Sequence, residues 1–198
     1  RDLSLINNKT GKQKIVAKAI AGRAVFSPKA KFIYWYNNID TAWFAYEIDK
    51  EKLRQITNNK ATKYYNEIHD TPSHPWPYGI AGWTKNDRYI LINDRYDIWK
   101  IDPKGEEQPA KLTNGRADEK RYRYIRLDSE ERNINMEEPL LLHVFDEQTK
   151  GSGYVSLSGK MELRQLVFDS NLRYQSQPKK AKNADKLLFT KQNFQIFI

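Results

Sequence analysis

The side chains best suited to chemistry gather in one segment, residues 64–77, with the sequence YYNEIHDTPSHPWP. The segment holds His69 and His74, and histidine is the usual side chain for proton transfer and metal binding near neutral pH. A metal site, however, needs imidazoles held toward one point, which a proline-rich loop does not provide by spacing alone. The third histidine, His143, lies between two apolar residues and is expected to be an ordinary strand residue. We therefore predict no metal ion and no cofactor.

The same segment is still the strongest candidate for a binding site. It is long, aromatic and stiffened by prolines, and loops of this length inside compact folds are often functional. The residues predicted to contact a substrate are Tyr64, Tyr65, His69, His74 and Trp76. The alternative is that this segment only connects two parts of the fold and that its aromatic side chains pack over a sheet.

Adjacent glutamates form a second kind of candidate, at residues 106–107, 130–131 and 137–138. Two neighbouring carboxylates could bind a cationic group. The first pair follows the turn Pro103-Lys104-Gly105, and the second lies in a polar, acidic stretch. We expect surface loops rather than a substrate clamp.

No residue is predicted to be a catalytic nucleophile. The chain has no cysteine, which excludes disulfides, thiolate metal sites and a cysteine nucleophile. The G-x-S-x-G motif of serine hydrolases is absent. The nearest sequence, Gly151-Ser152-Gly153, lies between two strand patterns and is predicted to be a hairpin loop.

The amino-acid composition limits the kinds of molecule that this chain is expected to bind. The 198 residues are 39% hydrophobic and carry a net charge of +9, so the chain can bury a core and could attract anions. The basic residues are scattered, and the short cluster at residues 121–126 alternates like a strand with one basic face, so nucleic acid is not an expected partner. No apolar run approaches the ~18 residues that cross a bilayer.

The elements that must position these side chains are short repeated strands. Residues 26–29, 32–35, 46–49 and 53–57 align with residues 83–86, 89–92, 99–102 and 110–113. Asparagine, aspartate, glycine and proline mark the turns, and β-branched and aromatic runs mark the strands. Each unit is therefore predicted to be four strands joined by tight turns.

Four strands repeated every ~45–55 residues indicate an all-β fold, a β-propeller of four-stranded antiparallel blades. The predicted blades are residues 21–60, 78–115 and 121–168, with the end of a blade at 1–20 and the start of another at 173–198. Because the chain begins and ends inside units, we expect an incomplete set of blades. The alternative is an ordinary antiparallel sandwich.

Four stretches resemble a known family. YGIAGWTKNDRYILINDRYDIWKIDPKG (78–105), KLTNG (111–115) and RYIRLD (123–128), together with residues 178–190, resemble the propeller of bacterial serine peptidases of the prolyl oligopeptidase family, relatives of dipeptidyl peptidase and acylaminoacyl peptidase. The resemblance covers most of the chain. It implies a non-catalytic propeller that admits short peptides to an α/β-hydrolase domain of the same protein, where a Ser-Asp-His triad cleaves them. It also implies export to the bacterial periplasm, with the cytoplasm as the alternative.

Two other functions fit the same pattern. A TolB-like propeller would bind proteins as a scaffold without peptidase activity. A sugar-processing propeller enzyme would need two carboxylic acids facing one pocket, which the sequence does not reveal.

Overall fold

The computed structural model describes residues 1–193, and this part of the chain is all-β. It opens with an antiparallel hairpin followed by a four-stranded sheet, sheet 1, in the order β3-β4-β5-β6. The strands of these two parts are β1 (Leu3–Ile6), β2 (Gln13–Ala17), β3 (Val25–Phe26), β4 (Phe32–Asn37), β5 (Ala42–Glu47) and β6 (Lys52–Gln55).

Sheet 2 repeats this arrangement and gains one strand. Its order is β10-β9-β8-β7-β12, and β12 alone is parallel to its neighbour. A single turn of 3-10 helix, Lys85–Asp87, joins the first two strands. The strands are β7 (Ile80–Thr84), β8 (Ile90–Asn93), β9 (Ile98–Ile101), β10 (Ala110–Lys111) and β12 (Asn133–Ile134).

Sheet 3 has the order β11-β13-β14-β15, and two short antiparallel pairs follow it, β16 with β19 and β17 with β18. These strands are β11 (Lys120–Tyr124), β13 (Leu140–Asp146), β14 (Ser152–Leu157), β15 (Leu163–Asp169), β16 (Leu172–Tyr174), β17 (Lys179–Lys180), β18 (Leu187–Leu188) and β19 (Lys191–Asn193).

The predicted all-β class with several antiparallel sheets is confirmed. In each large sheet the antiparallel strands follow chain order, and none of the described sheets is closed. The division into blades stays a prediction, and residues 194–198 of its last segment lie outside the described residues. Among residues 1–193, no helix is long and apolar enough to cross a membrane.

Apolar clusters connect each sheet to the next. In β4, Ile33 and Trp35 face the hairpin, while Phe32 and Tyr36 face sheet 2. In β8, Leu91 faces sheet 3 while its two neighbours face sheet 1. Side chains of a strand alternate between faces, so strands buried on both faces are continuously apolar rather than alternating. This explains the runs FIYWY, YILI and LLLHVF.

Equivalent turns hold sheets 1 and 2 in equivalent shapes. Ser27 Oγ accepts the main-chain N–H of Phe32 at 3.0 Å, and Thr84 Oγ1 accepts that of Tyr89 at 3.0 Å. Each hydroxyl residue also donates its own N–H to the same partner's carbonyl at 2.9 Å. The alignment of these residues in the sequence therefore corresponds to a shared local geometry.

A buried carboxylate ties sheet 2 to sheet 1. Asp87, 1% exposed, accepts hydrogen bonds from Ser27 Oγ at 2.6 Å and from the Lys29 main-chain N–H at 2.9 Å. Its backbone has φ of 55°, a left-handed conformation that aspartate tolerates better than most residues. The turn of one unit is thus held by the next unit.

Candidate functional site

The loop predicted to bind substrate is anchored to sheet 2. Tyr64 is 2% exposed and meets Trp99 edge to face, with ring centroids 6.1 Å apart. Tyr65 packs against the same core and bridges to Pro77. The side chain of Glu67 accepts two hydrogen bonds from Arg116, at 2.7 and 3.2 Å. Two of the five predicted residues therefore pack into or against the core.

The other three predicted residues lie outward. His69 Nε2 lies 2.8 Å from the carbonyl oxygen of Ser73 and 3.1 Å from its hydroxyl, so the imidazole closes its own loop. His74 is exposed, and Trp76 is 65% exposed. The structure does not bring the five residues together around one cavity, and their contact with a substrate stays a prediction.

The remaining candidates occupy structural positions. Ser152 begins β14 rather than lying in a loop, contrary to the sequence prediction, and its buried Oγ accepts the Tyr174 N–H at 2.8 Å. All three glutamate pairs are exposed. Within residues 1–193, no group of three histidine, aspartate or glutamate side chains could hold a metal ion.

The most distinctive cavity is a cleft of about 660 Å³ between sheet 3 and the strands that follow it. Its cationic walls come from three strands: Arg121 and Arg123 lie on β11, Arg173 lies on β16, and Lys191 lies on β19. Tyr78, just before β7, also lines it. We call it the arginine cleft; its lining among the described residues contains no aspartate or glutamate, and it is completed by Tyr124, His143, Phe145, Tyr174, Gln175, Ser176, Gln177, Thr190, Lys191 and Gln192.

Arg123 is the half-buried cation of this cleft. Its guanidinium donates to the main-chain carbonyls of Tyr122 at 2.7 Å, Asp94 at 2.9 Å and Arg95 at 3.0 Å. No ion pair within the described residues involves it. Burial, reinforced by the charge of Arg121, lowers the pKa of Arg123 to about 10, so the group stays cationic at neutral pH. The charge of Asp94 acts in the opposite direction. A partly buried cation whose hydrogen bonds go to neutral carbonyls still favours an added anion.

Two further arginines flank one aromatic ring. The guanidinium carbons of Arg121 and Arg173 lie 4.9 and 5.7 Å from the ring centroid of Phe145. Arg121 also pairs with Glu147 at 3.4 Å. Cation–π contacts restrict where each guanidinium lies, so the ring holds both charges at the cleft wall.

His143 lies in the same wall and is held neutral. Its Nε2 lies 3.2 Å from the carbonyl oxygen of Tyr174. Burial lowers the pKa of His143 below 6.5, opposed by this hydrogen bond and reinforced by the charges of Arg121 and Arg173. The cleft therefore carries its positive charge on arginine and lysine at neutral pH.

The sequence offered only a partial signal for this cleft. The alternation of Arg121 and Arg123 predicts a strand with one basic face. No such pattern marks Arg173, about fifty residues further on, or the carbonyl partners of Arg123. These groups come together only when the chain folds.

Comparison with known proteins gives little further guidance. No family model matches the chain, and no curated protein matches it. Nineteen chains of solved structures match, among them a luciferin-regenerating enzyme with 7% identity and a TM-score of 0.44, over 98% of this chain and 64% of that one. This chain thus spans less than two thirds of that structure's length. A similarity this weak supports no argument about fold or function.

Proposed function

We propose that this chain is a non-catalytic segment of a β-propeller in a serine peptidase of the prolyl oligopeptidase family. The propeller admits short peptides to an α/β-hydrolase domain of the same protein. The observation that carries the proposal is the series of three antiparallel sheets in chain order, each sharing a buried apolar cluster with the next.

The propeller part follows from how these sheets bury surface. Sheet 2 contributes Ile90 and Ile92 to one cluster and Leu91 to another, so it needs a neighbour on each face. Units that bury both faces only against their neighbours form repeat architectures. A propeller places such units around a central channel, and the lining of the arginine cleft by residues of both β11 and β16 supports that arrangement.

The peptidase part rests on the sequence resemblance at residues 78–105, 111–115 and 123–128. We assign no nucleophile to the described residues: Ser152 is buried against Tyr174, and His69 contacts only the hydroxyls of Thr71 and Ser73 and the Ser73 carbonyl within its own exposed loop. Cleavage would belong to the hydrolase domain. The same resemblance supports export to the bacterial periplasm.

A binding scaffold of the TolB-like kind is the second candidate. Ile68 and Trp76, 64% and 65% exposed, lie on one loop and present apolar surface to the solvent. Exposed apolar groups of this kind suit contact with another protein, without any peptidase activity.

Peptidase assays distinguish the two. The full-length gene product and this 198-residue chain would be assayed side by side on short chromogenic peptides and on a folded protein substrate. We expect the full-length product to cleave only the short peptides, a serine-directed inhibitor to abolish that activity, and the 198-residue chain to be inactive. A full-length product with no activity, or with activity that survives the inhibitor, would contradict the peptidase proposal.

A further inference from the structure

Within the described residues, most positive charges of the arginine cleft are not paired with a carboxylate. Four cationic side chains line it: Arg121, Arg123, Arg173 and Lys191. Among the described residues, Arg121 alone of these four forms an ion pair with a carboxylate. Like charges gathered around one cavity repel each other and raise its affinity for anions. The chain's net charge of +9 would help to attract such a ligand.

The walls indicate what else the ligand carries. Phe145 and the rings of Tyr78, Tyr124 and Tyr174 lie beside the cations. Polar groups complete the cavity: the Gln175 side-chain amide donates to the carbonyl of Gln177 at 2.7 Å. A bare inorganic anion would leave the aromatic walls unused, and the volume lies within the ~300–1,000 Å³ range of small-molecule sites.

We propose that the arginine cleft binds the carboxylate of a short peptide, with the adjoining side chain against the aromatic wall. A guanidinium matches a carboxylate with two parallel hydrogen bonds. The guanidinium groups of Arg173 and of the partly buried Arg123 approach the cavity from different strands. Because Arg123 already donates to three carbonyls, Arg173 is the better placed to form both bonds. That the ligand is a peptide rests on the proposed function, whereas the preference for a carboxylate rests on the cleft alone.

Binding measurements on the full-length protein test this inference after treatment with a serine-directed inhibitor, so that no peptide is cleaved. Calorimetry would compare N-acetyl-Ala-Phe carrying a free C-terminal carboxylate, its C-terminal amide, and N-acetyl-Asp-Phe amide. We expect the free acid to bind about tenfold or more tightly than the amide, as loss of a charge-assisted hydrogen bond predicts. Tighter binding of the Asp-containing amide than of the free acid would identify a side-chain carboxylate as the source.

Substitutions of the cleft arginines test whether the preference for the free acid arises in the arginine cleft. Arg173→Gln, at an exposed position, is expected to reduce the preference for the free acid to about twofold or less, and Arg121→Gln to weaken it in the same direction. Arg164→Gln on β15 removes the same charge from an exposed site outside the cleft and should leave the preference unchanged. Equal binding of acid and amide, or a preference that survives both cleft variants, would overturn the inference.

The inference and the proposed function fail separately. A carboxylate preference in a protein without peptidase activity would leave the arginine cleft assigned and refute the peptidase. Peptidase activity without any preference for the free acid over the amide would support the peptidase and refute the carboxylate site in the arginine cleft.

Discussion

The junction between sheets 1 and 2 and the junction between sheet 3 and the final strands are built differently. The first is centred on an aromatic stack, with Phe32 on Trp83 at 5.5 Å, and Asp87 satisfies the neighbouring turn. Clefts of about 570 and 480 Å³ lie on either side of this stack. The second has a smaller core centred on Tyr154, Tyr174 and Phe189, and beside it the arginine cleft stays open.

The two junctions differ in how a charged group is satisfied. At the first junction a buried carboxylate meets main-chain N–H groups, so the charge is satisfied within the protein. At the second, Arg123 donates to three main-chain carbonyls and lies over the ring of Tyr78, with no carboxylate of the described residues in an ion pair with it, so its charge remains available to an anion. We interpret the first junction as structural and the second as a ligand site.

The aromatic core of the junction between sheets 1 and 2 should be the most sensitive to loss of volume. Trp83→Ala is expected to lower the free energy of unfolding by about 3–5 kcal/mol, because Trp83 is 2% exposed and packs against two aromatic rings. Trp76→Ala, at a site 65% exposed, should change it by less than about 0.5 kcal/mol. Urea denaturation of both variants measures the difference, and similar losses would show that the junction is not where stability resides.

The carboxylate at that junction should give the next largest effect. Asp87→Asn keeps the shape but removes the charge that accepts from Ser27 and Lys29, so a loss of about 1–3 kcal/mol is expected. Asp40→Asn, at an exposed turn, serves as the control. Thermal unfolding of the two variants measures the difference. An Asp87→Asn protein as stable as the Asp40→Asn control would mean that the turn of sheet 1 keeps its conformation without the carboxylate of sheet 2.

The open junction should show the smallest effect, a dependence on pH. Burial lowers the pKa of His143 below 6.5, so the folded protein binds this proton less tightly than the unfolded chain does. The contribution of neutral His143 is therefore fully present above about pH 6.5 and is lost as the pH falls through the folded value. His143→Gln should flatten this acid-side loss of stability in unfolding curves between pH 8 and 5. An unchanged pH profile would show that His143 does not titrate with folding.

Much of the fold could be predicted from the sequence, because strand periodicity and turn residues act locally. The apolar runs at residues 32–36, 89–92 and 139–145 became strands β4, β8 and β13. Ser27 and Thr84 aligned because each begins the same hydrogen-bonded turn. The parallel strand β12 could not be predicted, because it joins sheet 2 from a position inside the next unit.

The site was harder to predict, because aromatic residues look alike in core and binding positions. Tyr64 and Trp76 belong to one loop, yet one is buried against Trp99 and the other is exposed. The arginine cleft depends on main-chain carbonyls at Asp94 and Arg95 and on residues about fifty positions apart. Such groups leave no pattern in a single sequence.

The arrangement of the sheets around a channel is the central claim, and a cryo-EM structure of the full-length protein tests it most directly. We predict that sheets 1, 2 and 3 are successive blades, that β3, β7, β11 and β16 are the innermost strands, and that the arginine cleft opens toward the channel. A two-layer sandwich, or a cleft facing away from any channel, would contradict the account.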